Sequence, residues 1–256
     1  MNDLRENLGV KPGDRIVAHT SLKSIGQVAG GAVTVIEALI EALGGTERGT
    51  LMMPCFNGPA EEIDLRSTPC RLGLIPEAFR TYPGVIRSQN WTHSVAVTGC
   101  DAKAIAAAHR GREPLGEGSP FHKLTELGGY VLHIGCDMSS CSLVHVAESV
   151  IGAPYQHIGY ANYGGPVRLI VDDANRYVCV TKEKPGCSKG FTVVQHEAER
   201  QGLLTKGSVG SADTLKIKGA DVLGVACRLL RKDMAALLCD REQCKVCSGR
   251  RAFLAG

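Results

Sequence analysis

The first 54 residues constrain the fold most strongly, because they alternate between the periodicities of strand and helix. Residues 15–19 form an apolar run after a turn signal and predict a strand, and a loop of small residues follows over 19–31. Apolar residues then recur at i, i+4 and i+7 over 33–43, which predicts a helix, and residues 50–53 predict a second strand. This order forms a βαβ unit, so the sequence predicts an α/β fold with parallel pairing.

The rest of the chain continues this alternation. Further strands are predicted over residues 94–97, 130–134, 167–171 and 176–180. Helices are predicted over 76–81, 102–109, 142–151, 191–201 and 220–231. Residues 172–175 lie between two apolar runs and predict a hairpin turn, so part of the sheet is expected to be antiparallel. With no repeat, linker or composition shift, we expect a single domain over 1–256, with a mixed, mostly parallel sheet flanked by helices.

Composition excludes several classes of protein. With 44% hydrophobic residues and a formal net charge of +3 over 256 residues, the chain is typical of a globular protein rather than a disordered one. No nucleic-acid partner is expected, because such proteins usually carry a clustered basic face. No stretch approaches the roughly 20 apolar residues of a membrane span, and the charged N-terminus is unlike a signal peptide. We therefore expect a cytoplasmic protein without a membrane partner. Its basic C-terminal residues are expected to be solvated: Arg228, Arg231, Lys232, Arg250 and Arg251.

The loop from His19 to Gly26 is a candidate ligand-binding segment. Its small residues would let backbone amides approach a ligand closely, and the helix that follows presents an N-terminus that favours anions such as phosphate. It matches neither the dinucleotide nor the triphosphate fingerprint. An ordinary connection between strand and helix remains the alternative.

A candidate general base lies in the helix predicted over 142–151. His145 and Glu148 are three residues apart and therefore share one face of that helix. A carboxylate beside an imidazole fixes its orientation and raises its basicity, which suits proton removal near neutral pH. The alternative is a core histidine that is hydrogen-bonded to a helical neighbour.

Three cysteines near the C-terminus suggest a metal site. Cys239, Cys244 and Cys247 follow a C-x4-C-x2-C pattern in a polar stretch, and three soft ligands favour tetrahedral zinc. Cys187, in a loop after a Pro-Gly pair, is the candidate fourth ligand; surface thiols are the alternative. The other cysteines are expected mostly to be small buried residues: Cys55, Cys70, Cys100, Cys136, Cys141, Cys179 and Cys227.

A series of sequence blocks, in order along nearly the whole chain, resembles the aminoglycoside 3-N-acetyltransferases. These blocks are residues 19–26, 30–32, 49–54, 80–88, 92–96, 115–120, 144–148 and 206–210. The resemblance implies an acetyl-CoA-dependent N-acetyltransferase with an α/β fold unlike that of the GNAT acetyltransferases. It also implies that His145 deprotonates the attacking amine, with Glu148 as its support. The CoA-binding residues it implies are His19, Thr20, Ser21, Ser24, Ile25, Gly26, Gly30, Gly31 and Ser119.

The C-terminal third resembles the type IV subgroup, which acetylates apramycin and gentamicin. Members of this subgroup end in a cysteine-rich tail and carry a cysteine at the position of Cys187. The resemblance therefore implies a structural zinc ion held by Cys187 together with the tail over 239–251.

Two departures from that subgroup concern the acceptor amine. Pro185 replaces an acidic residue that helps to hold the cationic drug, and Asn90-Trp91 replaces a His-Pro pair. A polycationic acceptor calls for carboxylates, and the candidates are Glu61, Glu62, Asp64 and Glu183. The acceptor is therefore an aminoglycoside at its 3-amino group or another small-molecule amine. A non-enzymatic, zinc-stabilised binding protein is the third alternative, and the chain is expected to be a monomer or a homodimer.

Overall fold

A buried central strand, β1 (Arg15–Thr20), organises the fold. The structure is a computed structural model that describes residues 1–57, 60, 62–109, 114–158, 167–171, 177–180 and 186–256. For residues 167, 168 and 177–180 it describes the backbone alone.

The remaining strands are β2 (Thr50–Pro54), β3 (Glu62–Asp64), β4 (Ile86–Arg87), β5 (Val95–Gly99), β6 (Tyr130–Ile134), β7 (Val167–Ile170), β8 (Tyr177–Val180), β9 (Thr205–Val209) and β10 (Ala212–Lys218). The helices are α1 (Leu22–Ile25), α2 (Gly31–Ala42), α3 (Leu74–Arg80), α4 (Ala102–Ala107), α5 (Pro120–Glu126), α6 (Leu143–Ile151), α7 (Thr192–Arg200), α8 (Gly219–Lys232) and α9 (Lys245–Ala255). Short helical turns lie at Asp3–Asn7 and Met138–Ser140.

Seven strands form one mixed sheet in the order β4-β5-β2-β1-β6-β10-β9. β1 pairs in parallel with β2 on one side and with β6 on the other, which confirms the βαβ unit and the mixed α/β fold. The outer pairings are all antiparallel, so the parallel part is confined to the three central strands, less than the sequence predicted. A small second sheet of β3, β7 and β8 contains the antiparallel pair expected from the hairpin pattern. The turn itself, residues 172–175, lies outside the described residues.

The central strands are buried on both faces of the sheet. Ile16 and Ala18 point to one face, where α2 and α3 pack, whereas Val17 points to the opposite face. That second face carries the larger core, built with α4 to α8, and α6 packs against α8 within it. Because side chains alternate along a strand, His19 lies on the same face as Val17, towards α6.

Every helix and strand predicted from periodicity is present, with ends that differ by no more than about two residues. The predicted loop over 19–31 contains a short helix, α1, because Ser21 caps its N-terminus by accepting a hydrogen bond from Ser24 N at 3.3 Å. Elements without a sequence prediction are β3, β4, β9, β10, α5 and α9. Among the residues described, no helix combines the length and apolar character needed to cross a membrane.

Candidate active site

A cavity of about 450 Å³ opens where β1 and β6 end. His19 and Thr20 line it from the end of β1, and Ser140 lines it from the turn that follows β6. His145, in the first turn of α6, and Gly186 also line this cavity. Ligands commonly bind at the carboxyl ends of parallel strands, so this cavity is the candidate active site.

His145 and Glu148 form the hydrogen-bonded pair that the sequence predicted. His145 Nδ1 lies 2.7 Å from Glu148 Oε2, and both side chains are buried. The imidazole also meets the ring of Phe191 edge-on, with centroids 4.6 Å apart. Because a carboxylate accepts a hydrogen bond from Nδ1–H, the neutral imidazole carries its lone pair on Nε2.

Glu148 is held by two further groups. Its other oxygen, Oε1, accepts hydrogen bonds from Tyr155 Oη and Arg250 Nη1, both at 3.1 Å. Burial alone would raise the pKa of Glu148, but the hydrogen bond and charge of His145, the charge of Arg250 and the Tyr155 hydroxyl together hold that pKa below its usual value. The carboxylate therefore remains ionised and fixed against His145.

Two histidines stack beside the cavity, and His19, but not His133, lines its wall. His19 and His133 are paired in register on β1 and β6, and their rings stack with centroids 4.8 Å apart. Burial lowers the pKa of His133 to about 3, and burial together with His133 lowers the pKa of His19 well below its ordinary value. Both rings are therefore neutral at physiological pH and are poor candidates for a charged role.

The predicted CoA loop is built around α1. Ser21 and Ser24 share a hydrogen bond between their hydroxyls at 2.8 Å, and Ser24 Oγ donates to Gly135 O at 3.1 Å. The amides of Ser21, Ser24 and Ile25 donate to Ile134 O and to Ser21 O, so they are already used within the protein. Thr20 Oγ1 is buried and has no hydrogen-bond partner within the described chain, although Thr20 lines the cavity. Its hydroxyl is therefore an unused donor in a residue of the cavity wall.

A second cavity, of about 680 Å³, adjoins the first. Cys136 lines both cavities, and Ser24, Lys206 and Ser211 also line the second one. The two cavities together extend from His145 past α1 to Lys206, which pairs with Glu199. The second wall also carries Asp137 and Asp213, so the combined length suits a long ligand, whereas the charge of that wall is mixed.

The remaining predicted CoA residues lie apart from these cavities. Gly30 and Gly31 begin α2 and line neither described cavity wall. Ser119 precedes α5 with a fully buried hydroxyl that has no hydrogen-bond partner among the described residues. Ser21, Ile25 and Gly26 also line neither of the two cavities, and all of the CoA contacts remain predictions.

Two of the four predicted acceptor carboxylates, Glu62 and Asp64, are described, and neither lines the two cavities. Asp64 pairs with Arg66 at 2.7 Å, and hydrogen bonds from Arg66 lower the pKa of Asp64 to about 2. Glu62 is exposed on β3. Glu61 and Glu183, like the substituted position Pro185, lie outside the described residues. The described wall of the first cavity carries no carboxylate and includes Lys189.

The four predicted metal ligands come together. One ligand atom from each of Cys187, Cys239, Cys244 and Cys247 lies within 4.8 Å of the others, and the Sγ atoms of Cys187 and Cys239 are 3.8 Å apart. Zinc–sulfur bonds of about 2.3 Å in a tetrahedron place sulfurs about 3.8 Å apart, so the donor set fits a zinc ion. Although burial opposes ionisation, hydrogen bonds from Cys247, Cys239 and Cys187 lower the pKa of Cys244 to about 7. At least one thiolate is thus readily formed.

Sequence reasoning missed Tyr155, His133 and Arg250. The prediction that Arg250 is a solvated charge was wrong: its side chain is 1% exposed, because α9 turns it inward to Glu148. The only sequence signal was its place three residues after Cys247, which puts both on one face of a helix. Cys100 is exposed, against expectation, because it follows β5 at the surface; Cys55, Cys70, Cys141 and Cys227 are buried as expected.

The chain is similar to a known family of sequences. Residues 17–231 match the family model described as aminoglycoside 3-N-acetyltransferase. Aminoglycoside N(3)-acetyltransferase VII of Streptomyces paromomycinus is 31% identical over 255 residues, which cover 86% of this chain and 86% of that protein. Aminoglycoside N(3)-acetyltransferase III of Pseudomonas aeruginosa is 30% identical over 259 residues, 89% of this chain and 91% of that protein.

Solved structures share the architecture. The apoenzyme of aminoglycoside acetyltransferase AAC(3)-IVa superposes with a TM-score of 0.84 at 28% identity, covering 98% of this chain and 94% of that one. A mutant of the same enzyme in complex with apramycin gives 0.76 at 28% identity, over 95% and 94% of the two chains. The large mixed sheet flanked by helices is common to this chain and these structures.

Proposed function

The chain belongs to the aminoglycoside 3-N-acetyltransferase family and is an acyltransferase, and from this premise we propose that it transfers an acetyl group from acetyl-CoA to the 3-amino group of an aminoglycoside. The observation that carries the proposal is that His145, in the wall of the first cavity, is hydrogen-bonded to the buried Glu148 behind it. Membership of an enzyme family also excludes the non-enzymatic alternative that the sequence patterns left open.

Proton transfer explains why this pair is needed. An ammonium group has no lone pair, so the acceptor must lose a proton before its nitrogen can attack the thioester carbonyl. His145 Nε2 takes that proton, and the ionised Glu148 stabilises the imidazolium that forms. The tetrahedral intermediate then breaks its carbon–sulfur bond, and the proton on His145 passes to the departing thiolate, which leaves as free CoA. The nitrogen carries one further proton after its attack, and it releases that proton to solvent as the amide forms.

The developing negative charge on the thioester oxygen needs a hydrogen-bond donor. Thr20 Oγ1 is the donor we assign to this oxygen, because Thr20 lines the cavity and its buried hydroxyl has no partner among the described residues. Lys206, in the wall of the second cavity, is the cation we assign to the phosphates of CoA, which would replace its present partner Glu199. The acetyl group would then lie where the cavities meet.

A non-aminoglycoside amine is the second candidate acceptor. The described wall of the first cavity offers Lys189 and no carboxylate, which disfavours a polycation and favours an amine of lower charge. Carboxylates from Glu61 and Glu183 would reverse this balance if they face the cavity. The family relationship favours the aminoglycoside, and the charge of the described wall favours the alternative.

We propose that one structural zinc ion is held by the four cysteines. Cys187 would tie the segment before α7 to Cys239, Cys244 and Cys247 at the start of α9. Four thiolates leave no open position for water, so the ion would stabilise the fold and take no part in the chemistry. Acetyl-CoA supply and reduced thiols both suit the cytoplasm, where we propose that the protein acts as a monomer or homodimer.

An amine panel with acetyl-CoA tests the proposal by measuring free thiol. The panel pairs aminoglycosides that carry a 3-amino group with analogues that lack it, and adds amino sugars bearing a single amine. Thiol release with the 3-amino compounds and not with the analogues supports the aminoglycoside acceptor. Release with single-amine sugars alone supports the second candidate, and release with no amine contradicts acetyl transfer. His145→Ala is the control for uncatalysed release.

A further inference from the structure

Arg250 is an unusual residue to find in the interior of a protein. It lies in α9, and its side chain is 1% exposed. A guanidinium group cannot lose its charge under physiological conditions, so its burial is tolerated only when partners replace water. The contacts of Arg250 therefore indicate what it does.

Two nitrogens and the face of the guanidinium have partners among the described residues. Nη1 donates to Glu148 Oε1 at 3.1 Å, and Nε donates to Ile158 O at 3.2 Å. The guanidinium carbon lies 4.8 Å from the centroid of the Tyr155 ring. On another side is Gly186, where any Cβ would collide with the guanidinium, so only glycine leaves room for it.

These contacts divide the two oxygens of Glu148 between two tasks. Oε2 holds His145, whereas Oε1 receives Arg250 and Tyr155. With both oxygens engaged, the carboxylate cannot rotate away from the imidazole. Arg250 also balances the charge of Glu148 in a region that water does not reach.

The cysteine cluster lies next to both Arg250 and Gly186 along the chain. Cys247 lies three residues before Arg250 on the same helix, and Cys187 directly follows Gly186. The segments that carry the cysteine cluster are therefore the same segments that enclose the guanidinium. Their position decides where Arg250 sits relative to Glu148.

We propose that Arg250 is a positioning residue for acetyl transfer: from the C-terminal helix it holds Glu148, and through Glu148 it fixes the orientation and proton affinity of His145. This inference rests on the proposed role of His145 as the base. Arg250 lines neither described cavity and acts only through Glu148.

The test compares Arg250→Met, which removes the charge at similar size, with Arg250→Lys, which keeps it. Arg251→Met is the matched control, because Arg251 is the next residue of α9 and pairs with the exposed Asp240. We expect Arg250→Met to lower kcat more than about tenfold with little change in KM for acetyl-CoA. Arg250→Lys should recover part of that loss, and Arg251→Met should match the wild type.

The pH profile separates positioning from general loosening of the fold. In the described part of the chain, Arg250 and Tyr155 are the titratable groups that contact the His145–Glu148 pair from other segments. Removing the positive charge of Arg250 raises the proton affinity of the pair. The acid limb of the kcat profile should therefore move to higher pH in Arg250→Met and stay in place in Arg250→Lys.

NMR of the histidine rings tests the effect of Arg250 on protonation of His145 without an activity assay. The His145 signal is assigned by its loss in His145→Ala, and its titration midpoint is expected to rise in Arg250→Met. If Arg250→Met fails to fold, Arg250→Lys and Tyr155→Phe take its place, because each changes a donor to Glu148 Oε1. The kcat profile and the NMR titration are then measured on these two variants, and we expect a lowered kcat in each. An unmoved midpoint or acid limb in folded Arg250→Met, or an equal loss of kcat in Arg251→Met, overturns the inference. If instead the wild type acetylates no amine, the proposed function fails, and the NMR titration still decides the role of Arg250.

Discussion

Glu148 Oε2 lies 2.7 Å from His145 Nδ1, so the carboxylate selects the imidazole tautomer whose Nε2 can accept a proton. Replacing His145 with Ala removes that acceptor without touching the second cavity. We expect kcat to fall by about 10²- to 10⁴-fold, while the dissociation constant for CoA stays near the wild-type value. Steady-state thiol release and calorimetric titration with CoA measure the two quantities.

The control for this substitution is His196→Ala, because His196 is exposed on α7. A His145→Ala enzyme that keeps more than about a tenth of the wild-type rate points to a different base. A parallel loss of CoA affinity would show instead that the ring supports the binding site.

Gly26 is the residue of the α1 loop that a side chain would disturb most directly. Its φ of +97° is a conformation that L-residues rarely adopt, and a Cβ would come 3.4 Å from Ser211 Oγ, which belongs to a residue in the wall of the second cavity. We expect Gly26→Val to weaken CoA binding, as measured by calorimetry. Gly202→Val is the control, since Gly202 also has a positive φ but faces open space away from both cavities. Equal CoA affinity in the two variants would show that the loop over residues 19–26 takes no part in CoA binding.

The cysteine cluster predicts about one zinc ion per chain in protein prepared without chelator. Because the ligands bind as thiolates, lowering the pH should release the ion, and chelation should expose four additional reactive thiols. Cys187→Ser should lower the zinc content and the melting temperature, whereas Cys100→Ser, at an exposed cysteine outside the cluster, should change neither. Elemental analysis and thiol titration measure this, and wild-type protein free of zinc would contradict the site.

His133 makes the stability of the protein depend on pH in a defined direction. Burial lowers its pKa from 6.5 to about 3 in the folded state, so the unfolded chain takes up a proton first as the pH falls. The stability associated with the neutral ring is complete above about pH 6.5 and is lost progressively towards pH 3, at up to about 1.4 kcal/mol per pH unit.

We therefore expect His133→Leu to have a free energy of unfolding that changes less between pH 7 and about pH 4 than that of the wild type. Urea unfolding at a series of pH values measures the slope. His196→Leu, at the surface, should keep the wild-type slope. Identical slopes in all three proteins would mean that His133 ionises freely in the folded state.

Much of the architecture follows from local patterns. The βαβ unit and α6 are marked by apolar periodicity within single segments, and α6 alone places Glu148 within reach of His145. By contrast, β9 and β10 carry polar residues at alternate or successive positions, because β9 lies at the sheet edge and is largely exposed. β10 pairs with β6, and β9 pairs with β10. Both pairings depend on the tertiary fold, and short-range periodicity contains little trace of them.

The contact between Arg250 and Glu148 also could not be predicted from local sequence patterns. Nothing in the sequence around Arg250 distinguishes it from the adjacent Arg251, yet one is buried against Glu148 and the other reaches Asp240 at the surface. Which arginine turns inward is decided by how α9 sits on Tyr155 and Gly186, which are both distant from it along the chain. A long-range contact of this kind has no local signature.

The hydrogen bond from Ser24 Oγ to Gly135 O spans 111 residues of sequence and joins the α1 loop to the end of β6. Each cavity is lined by residues from both of the segments that this hydrogen bond joins. The chain must therefore close a very long loop before either cavity exists, and closure of this length is slow compared with helix formation. During synthesis, a chain that ends before β6 would carry the complete βαβ unit but no binding cavity. Recovery of CoA binding after dilution from denaturant should accordingly lag behind the recovery of helical signal.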